Sequence, residues 1–200
     1  MINRVMDIEQ FKSDLKVYSI EEMYNRYLIS GDVWIMKRLF GAEWHEKYDE
    51  FKLYISDRLL VHFNDIAIAG SAKTGFSINP NKNYKVFDDC SDIDVIIVSQ
   101  KLFYRFWDAY IIDSYAEIRT PYFRTVCFSV FRRYMNVEYL SKSNKEYISW
   151  TKQTEGFEKD LQFRFLIEND IHYRIYESWD SAKYYYMNGI KKLKDRLETV

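Results

Sequence analysis

Residues 66–71 read IAIAGS, and residues 91–99 read SDIDVIIVS. The first stretch is an apolar run that ends in glycine and serine, and with residues 62–65 it predicts a buried strand followed by a turn. The second stretch is almost wholly apolar and β-branched after Asp94, which predicts a strand covered on both faces. These two strands decide the fold, because the segments around them have a different, helical spacing.

Helical spacing dominates the rest of the chain. Ser19 and Glu22 have the spacing of a capping box, and Ser178 is placed to cap a last helix. The other predicted elements are helices over 33–40, 44–60, 101–118 and 122–135, a short helix after the polar stretch 141–146, and a hairpin of strands over 161–167 and 171–176. This order predicts an α+β fold in which residues 1–60 form an N-terminal helical layer.

Composition limits the class of protein. The chain of 200 residues has 29 Lys and Arg against 30 Asp and Glu, so no global positive field favours tight nonspecific nucleic-acid binding. A local basic patch would not change this net value. Cys90 and Cys127 lack the spacing of a zinc site or a disulfide framework, which indicates reduced thiols. Residues 1–7 lack the apolar run of a signal sequence, and no segment is long and apolar enough to span a bilayer, so we expect a cytoplasmic protein without membrane contact.

Aromatic residues are abundant, with 18 Tyr, 14 Phe and 5 Trp. Aromatic rings can stack on nucleic-acid bases. Here they recur at the spacing of core positions along the chain, which favours packing in the interior. Tyr173 and Tyr176, near the predicted hairpin, are candidates for stacking on a base, but core packing is again the favoured interpretation.

Asp92 and Asp94 are the candidate metal ligands. Residues two apart on a strand share one face, with their backbones about 7 Å apart. Two carboxylates this close repel each other unless a cation lies between them. A hard divalent ion, Mg²⁺ or Mn²⁺, is the expected partner, since it takes its other ligands from water and substrate phosphates. The alternative interpretation is a solvated strand start.

Gly70 and Ser71 are the candidate phosphate contacts. Glycine lets the backbone approach a phosphate closely, and a helix that begins at Ser71 directs free amides toward an anion. Lys73 and Thr74 are polar and near enough in sequence to join them, although Lys73 is equally compatible with a solvated surface position. Other chemistries lack their motifs: Ser71 has no Gly-x-Ser-x-Gly turn, and the glycines of a P-loop are missing before Lys73.

An apolar strand, Gly-Ser, a short helix and then Asp-x-Asp on the next strand resemble the pattern of the DNA polymerase beta-like nucleotidyltransferase superfamily. The resemblance rests on residues 66–71 and 92–98, about a sixth of the chain. It implies a mixed β-sheet flanked by helices, with residues 61–200 as the nucleotidyltransferase-like domain and one compact unit overall. It implies transfer of a nucleoside monophosphate from a nucleoside triphosphate, with Gly70 and Ser71 on the triphosphate and Asp92 and Asp94 on Mg²⁺ or Mn²⁺.

The family also supplies a third carboxylate from a neighbouring strand, and the sequence does not show where it lies. Asp160, Glu168 and Asp170 are the candidates, all at strand ends or in the turn of the predicted hairpin. Either one of them serves, or the third acid is absent.

Three functional hypotheses follow. The first is a metal-dependent nucleotidyltransferase whose acceptor is a protein, RNA, a nucleotide or a small molecule. For a short chain with no recognisable RNA-binding module, the resemblance implies a toxin–antitoxin or antiphage defence setting, in which a protein partner is one option. The second is a degenerate relative that binds nucleotide or a partner chain without transfer. The third is a purely structural α+β protein.

Overall fold

A mixed sheet of four strands lies at the centre of residues 7–118 and 122–198, the part of the chain that the computed structural model describes. Its strands are β1 (Ile66–Ala69), β2 (Ile93–Val98), β3 (Tyr134–Met135) and β4 (Ile171–Tyr176). They lie in the order β1-β2-β4-β3, with β2 and β4 parallel and the other two pairs antiparallel. The expected α+β class is confirmed.

Helices cover both faces of this sheet. They are α1 (Ile8–Val17), α2 (Ile20–Tyr24), α3 (Trp34–Phe40), α4 (Trp44–Leu59), α5 (Gly70–Thr74), α6 (Gln100–Tyr115), α7 (Phe123–Phe131), α8 (Lys145–Arg164) and α9 (Trp179–Glu198). Two of their starts were predictable from local chemistry. The capping box of Ser19 and Glu22 is present, and the Ser178 hydroxyl accepts a hydrogen bond from the Ser181 amide in the first turn of α9.

Alternate side chains of β2 point to opposite faces of the sheet, and an apolar core lies on each face. Ile93, Val95 and Ile97 face the larger core, which α3, α4, α6 and α8 complete. Ile96 and Val98 face the smaller core, which α1, α2 and α9 complete. Residues 7–59 therefore do not form one layer, because α1 and α2 pack on one face of the sheet and α3 and α4 on the other.

The predicted hairpin is wrong in its first half. Residues 161–164 are the last turn of α8, a helix of 20 residues rather than a short one, and only β4 is a strand. Leu161 and Phe165 are buried four positions apart, which is helical spacing, and such a short apolar run does not distinguish helix from strand. The helix predicted over 122–135 also ends early, at Phe131, because Tyr134 and Met135 pair with β4.

Tyr176 is fully buried in the smaller core, and Tyr173 packs against the larger one. Core packing of these two rings is therefore confirmed. No helix in the described part of the chain is long and apolar enough to cross a membrane. Residues 1–6, which bear on the signal-sequence prediction, lie outside the described residues, as do 119–121 and 199–200.

Candidate functional site

The turn after β1 touches the first carboxylate-bearing residue of β2. Antiparallel pairing places Ala69 opposite Asp94, so the end of β1 lies beside the start of β2. Gly70 follows with a φ of +61°, and a Cβ built on it would lie 2.3 Å from Asp94 Oδ2. A side chain at position 70 would therefore occupy the space of the Asp94 carboxylate. The Gly-Ser turn and Asp94, 24 residues apart in sequence, form one structural unit.

Asp92 and Asp94 share the face of the sheet that leads to the smaller core, as their spacing predicts. Asp92 is exposed and Asp94 is partly buried, so both carboxylates reach solvent where β2 begins. Ser71 lies at the same end of the sheet and lines the same cleft. Four predicted site residues are thus brought together: Gly70, Ser71, Asp92 and Asp94.

Lys73 and Thr74 are not brought to the cleft: both side chains are buried, away from the position expected for a phosphate. The Lys73 side chain is 4 % exposed, and its ammonium donates a hydrogen bond of 2.5 Å to the carbonyl of Ser30. Burial lowers the pKa of Lys73 to about 8. The Thr74 hydroxyl is buried and donates to the carbonyl of Phe76. These residues turn inward because α5 is packed between α3 and β2, which leaves Lys73 and Thr74 no solvent-facing side.

The neighbouring strand β4 carries basic residues on the face shared with the two aspartates. His172 pairs with Asp94 in the parallel register, and its Nδ1 atom lies 4.0 Å from Asp92 Oδ2. Arg174 lies one pleat further on, with Nη2 3.8 Å from Asp94 Oδ1. Arg174 is also held against aromatic rings, its guanidinium carbon 5.0 Å from the ring centre of Tyr185. The two positions of β4 that share this face and lie nearest the aspartates therefore carry His172 and Arg174 instead of a carboxylate.

None of the three candidate acids lines the cleft. Asp160 is exposed on α8, where its carboxylate lies 3.4 Å from the hydroxyl of Tyr54. Glu168 and Asp170 are exposed in the segment before β4. Their predicted placement in a hairpin turn is wrong, because that segment joins a helix to a strand.

Two other glutamates, which the sequence did not single out, line cavities that Asp94 also lines. Glu138 lines the cleft, and with Glu158 and Asp94 it also lines a smaller cavity of about 140 Å³ beside His172. Burial raises the pKa of Glu158, although its carboxylate also accepts a hydrogen bond from the Ile171 amide. Glu138 follows a two-residue strand and Glu158 lies within α8, so no local sequence pattern marks them.

Asn169 holds the loop that leads into Asp92. Its side-chain nitrogen lies 2.7 Å from the carbonyl oxygen of Ser91 and 3.2 Å from that of Asp88. The Asp89 carbonyl oxygen lies 3.4 Å from the same nitrogen. This one amide therefore contacts three backbone carbonyls of the loop. Asn169 thereby fixes the approach of the chain to β2.

Asp92 and Asp94 fit a metal ion that arrives with phosphate ligands. In the described part of the chain no group of three or more His, Cys, Asp or Glu side chains is placed to hold a metal. Mg²⁺ is commonly held by one or two carboxylates plus water and substrate phosphates. Arg174, 3.8 Å from Asp94, already neutralises part of the aspartate charge, which further disfavours a tightly held resident ion.

The cleft beside the aspartates has a volume of about 620 Å³, and its far wall is formed by residues 77–82 and by α9. Basic side chains dominate its charged lining: Lys82, Lys85, Arg132, Arg174 and Lys192. Lys85 pairs with Asp88, whereas Lys82, Arg132 and Lys192 make no ion pair with any described carboxylate. The cleft thus offers positive charge around two carboxylates, an arrangement suited to a phosphate-rich ligand that carries a cation.

Comparisons with known proteins identify no family. No protein-family model matches the chain, and searches of curated proteins and of solved structures find no match. The functional argument therefore rests on the site itself.

Proposed function

We propose that this protein is a metal-dependent nucleotidyltransferase that moves a nucleoside monophosphate from a nucleoside triphosphate to a hydroxyl-bearing acceptor and releases pyrophosphate. The observation that carries the proposal is the contact of the Gly70 turn with Asp94 inside a basic cleft. The carboxylate against this turn offers a ligand to a divalent ion, and the basic side chains of the cleft attract the phosphates that bring such an ion.

The proposal includes the finer assignment of the fold. An antiparallel strand pair joined through Gly-Ser and Asp-x-Asp, with a parallel third strand beside it, supports a nucleotidyltransferase-like arrangement. In this arrangement Asp92 and Asp94 hold Mg²⁺ or Mn²⁺. When bound, such an ion supplies positive charge at the phosphate oxygens, where negative charge develops during transfer.

The chain's own side chains would perform the remaining tasks. Lys82 and Lys192 lie on the wall formed by residues 77–82 and α9, and their ammonium groups would bind the triphosphate oxygens. Arg174 is a positioning residue, since its contact with Asp94 holds that carboxylate toward the turn. Glu138 lines the cleft and is available to accept the proton of the acceptor hydroxyl.

A binding module without transfer is the second candidate. It is favoured by one observation: the positions of β4 nearest the aspartates carry His172 and Arg174, where the resemblance implies a catalytic carboxylate. A protein of this kind would bind the triphosphate with its ion and release no pyrophosphate.

Release of pyrophosphate from each common ribonucleoside triphosphate, with Mg²⁺ or Mn²⁺ and a mixture of candidate acceptors, tests the proposal. We expect release from the wild type and none from the double variant Asp92→Asn, Asp94→Asn. The matched control is Asp160→Asn, which removes an exposed carboxylate outside the cleft and should leave the rate unchanged. Release that persists in the double variant would exclude this site.

Calorimetry with a non-hydrolysable triphosphate separates the two candidates. Metal-dependent binding without pyrophosphate release from any triphosphate would favour the binding module. Absence of metal-dependent binding would refute both candidates and leave a structural role.

A further inference from the structure

The basic cleft continues into a second groove that leads away from the aspartates. This groove has a volume of about 630 Å³ and lies between the end of α7 and the first half of α9. Arg132, Tyr185 and Asn188 line both spaces, so they mark the junction. An extended molecule whose end lies at Asp92 and Asp94 can therefore follow one open path across α9.

Two large aromatic side chains stand in this second groove with most of their surface in solvent. Phe131 is 85 % exposed and Tyr184 is 73 % exposed. Each lines the groove, Phe131 from the last residue of α7 and Tyr184 from α9. Flat rings that the fold leaves unpacked beside an open channel are available to stack on a ligand.

The charge at the junction of the two spaces favours an anionic ligand. Arg132 lies at the junction and makes no ion pair with any carboxylate in the described ranges. Arg133 pairs with Glu177 at 3.0 Å. The acidic residue in the groove, Asp180, lies in the first turn of α9, where its charge complements the helix dipole.

We propose that the two joined spaces bind a single-stranded nucleic acid whose terminal hydroxyl is the acceptor; this rests on the proposed nucleotidyltransferase function. Unpaired bases would stack on Phe131 and Tyr184, and backbone phosphates would contact Arg132. A duplex keeps its bases stacked on each other and has no faces to offer these rings. A small acceptor would fill neither the length of the path nor its aromatic end.

The implied transfer is a single displacement at the α-phosphorus of the triphosphate. The terminal hydroxyl oxygen of the strand forms a new bond to that phosphorus, and the bond to the bridging oxygen of the pyrophosphate breaks. Pyrophosphate leaves with the electron pair, and the hydroxyl proton passes to the Glu138 carboxylate. The strand ends one nucleotide longer.

Fluorescence anisotropy of labelled RNA tests the groove without requiring catalysis. The probe is a single strand of about 12 nucleotides, measured with the full chain across a range of KCl concentrations and without triphosphate. We expect binding that weakens as salt rises, with little binding of the matching duplex. A DNA strand of the same sequence distinguishes RNA from a general single-strand preference.

Two variants with matched controls locate the binding. Tyr184→Ala should weaken the strand's affinity by about fivefold or more, since a stacked base is lost. Arg132→Ala should reduce the magnitude of the salt slope by about 0.7, the effect of one phosphate contact on a single strand. The controls Phe163→Ala and Lys159→Ala remove exposed side chains of the same kinds from α8, across the sheet, and should change neither quantity.

The outcomes separate this inference from the proposed function. Unchanged affinity in both groove variants, equal binding of duplex, or a protein that binds at Phe131 and Tyr184 in place of nucleic acid would overturn the inference. The double variant Asp92→Asn, Asp94→Asn should keep strand binding. Strand binding without pyrophosphate release refutes only the transferase, and release onto a small hydroxyl acceptor without strand binding refutes only the groove.

Discussion

Replacing Gly70 with alanine adds one methyl group at the most constrained point of the site. The new Cβ would lie 2.3 Å from Asp94 Oδ2, closer than side-chain carbons approach other atoms in proteins. The backbone there has a φ of +61°, which costs a residue with a side chain about 1 kcal/mol. Asp94 can relieve the contact by rotating its carboxylate, since its side chain is partly exposed.

This relief determines the expected magnitudes. The free energy of unfolding should fall by only about 1–2 kcal/mol, since the strain is local and the carboxylate moves. The reaction rate should fall far more, because the carboxylate and the turn are displaced by about 1 Å. A shift of this size costs about 100-fold in the rate of a positioned reaction. Gly70→Ala should therefore be nearly as stable as the wild type and nearly inactive.

Three measurements on the same protein check this: urea unfolding, release of pyrophosphate, and calorimetry of a non-hydrolysable triphosphate with Mg²⁺. The matched control is Gly156→Ala, which lies inside α8 with no atom within 4 Å of the added Cβ. It should raise stability by up to about 1 kcal/mol and leave binding unchanged. Wild-type affinity in Gly70→Ala, with its stability reduced as expected, would refute the role of this turn in phosphate binding.

Three further predictions concern positions around the site. Burial lowers the pKa of Lys73 to about 8. Below that pH the folded and unfolded states both hold the ammonium proton, and between pH 8 and about 10.5 the unfolded state is the more fully protonated. The free energy of unfolding should thus rise by about 3 kcal/mol over that range relative to Lys73→Met, and parallel pH curves in denaturant titrations would contradict this. Asn169→Ala removes the donor to the Ser91 carbonyl. It should weaken metal-dependent triphosphate binding several-fold and lower the free energy of unfolding by about 1 kcal/mol. An unchanged affinity in calorimetry would show that the loop keeps its conformation without this hydrogen bond. Gly75→Ala places a Cβ 2.9 Å from the ring of Trp34 at a φ of +83° and should lower the urea unfolding free energy by about 2 kcal/mol or more, a loss that wild-type stability would disprove.

Local patterns predicted the elements whose cause is local. The strand β2 follows from its β-branched run, and the start of α2 follows from Ser19 and Glu22, three residues apart. The shared face of Asp92 and Asp94 follows from the two-residue period of a strand. Residues 161–167 were misassigned because a short apolar run fits either period, and the packing of α8 against α4 decided in favour of the helix.

The α+β class, the Gly-Ser turn and the shared face of the two aspartates follow from residues that are neighbours along the chain. Long-range packing brought the turn against Asp94, 24 residues further on, and set what surrounds both. Parallel pairing of β2 with β4 placed His172 and Arg174 beside the aspartates, and packing of α5 between α3 and β2 turned Lys73 inward. The tertiary structure also brought Lys82, Arg132 and Lys192 into one cleft. The net charge of −1 does not indicate this cleft, because a charge summed over the chain carries no information about position.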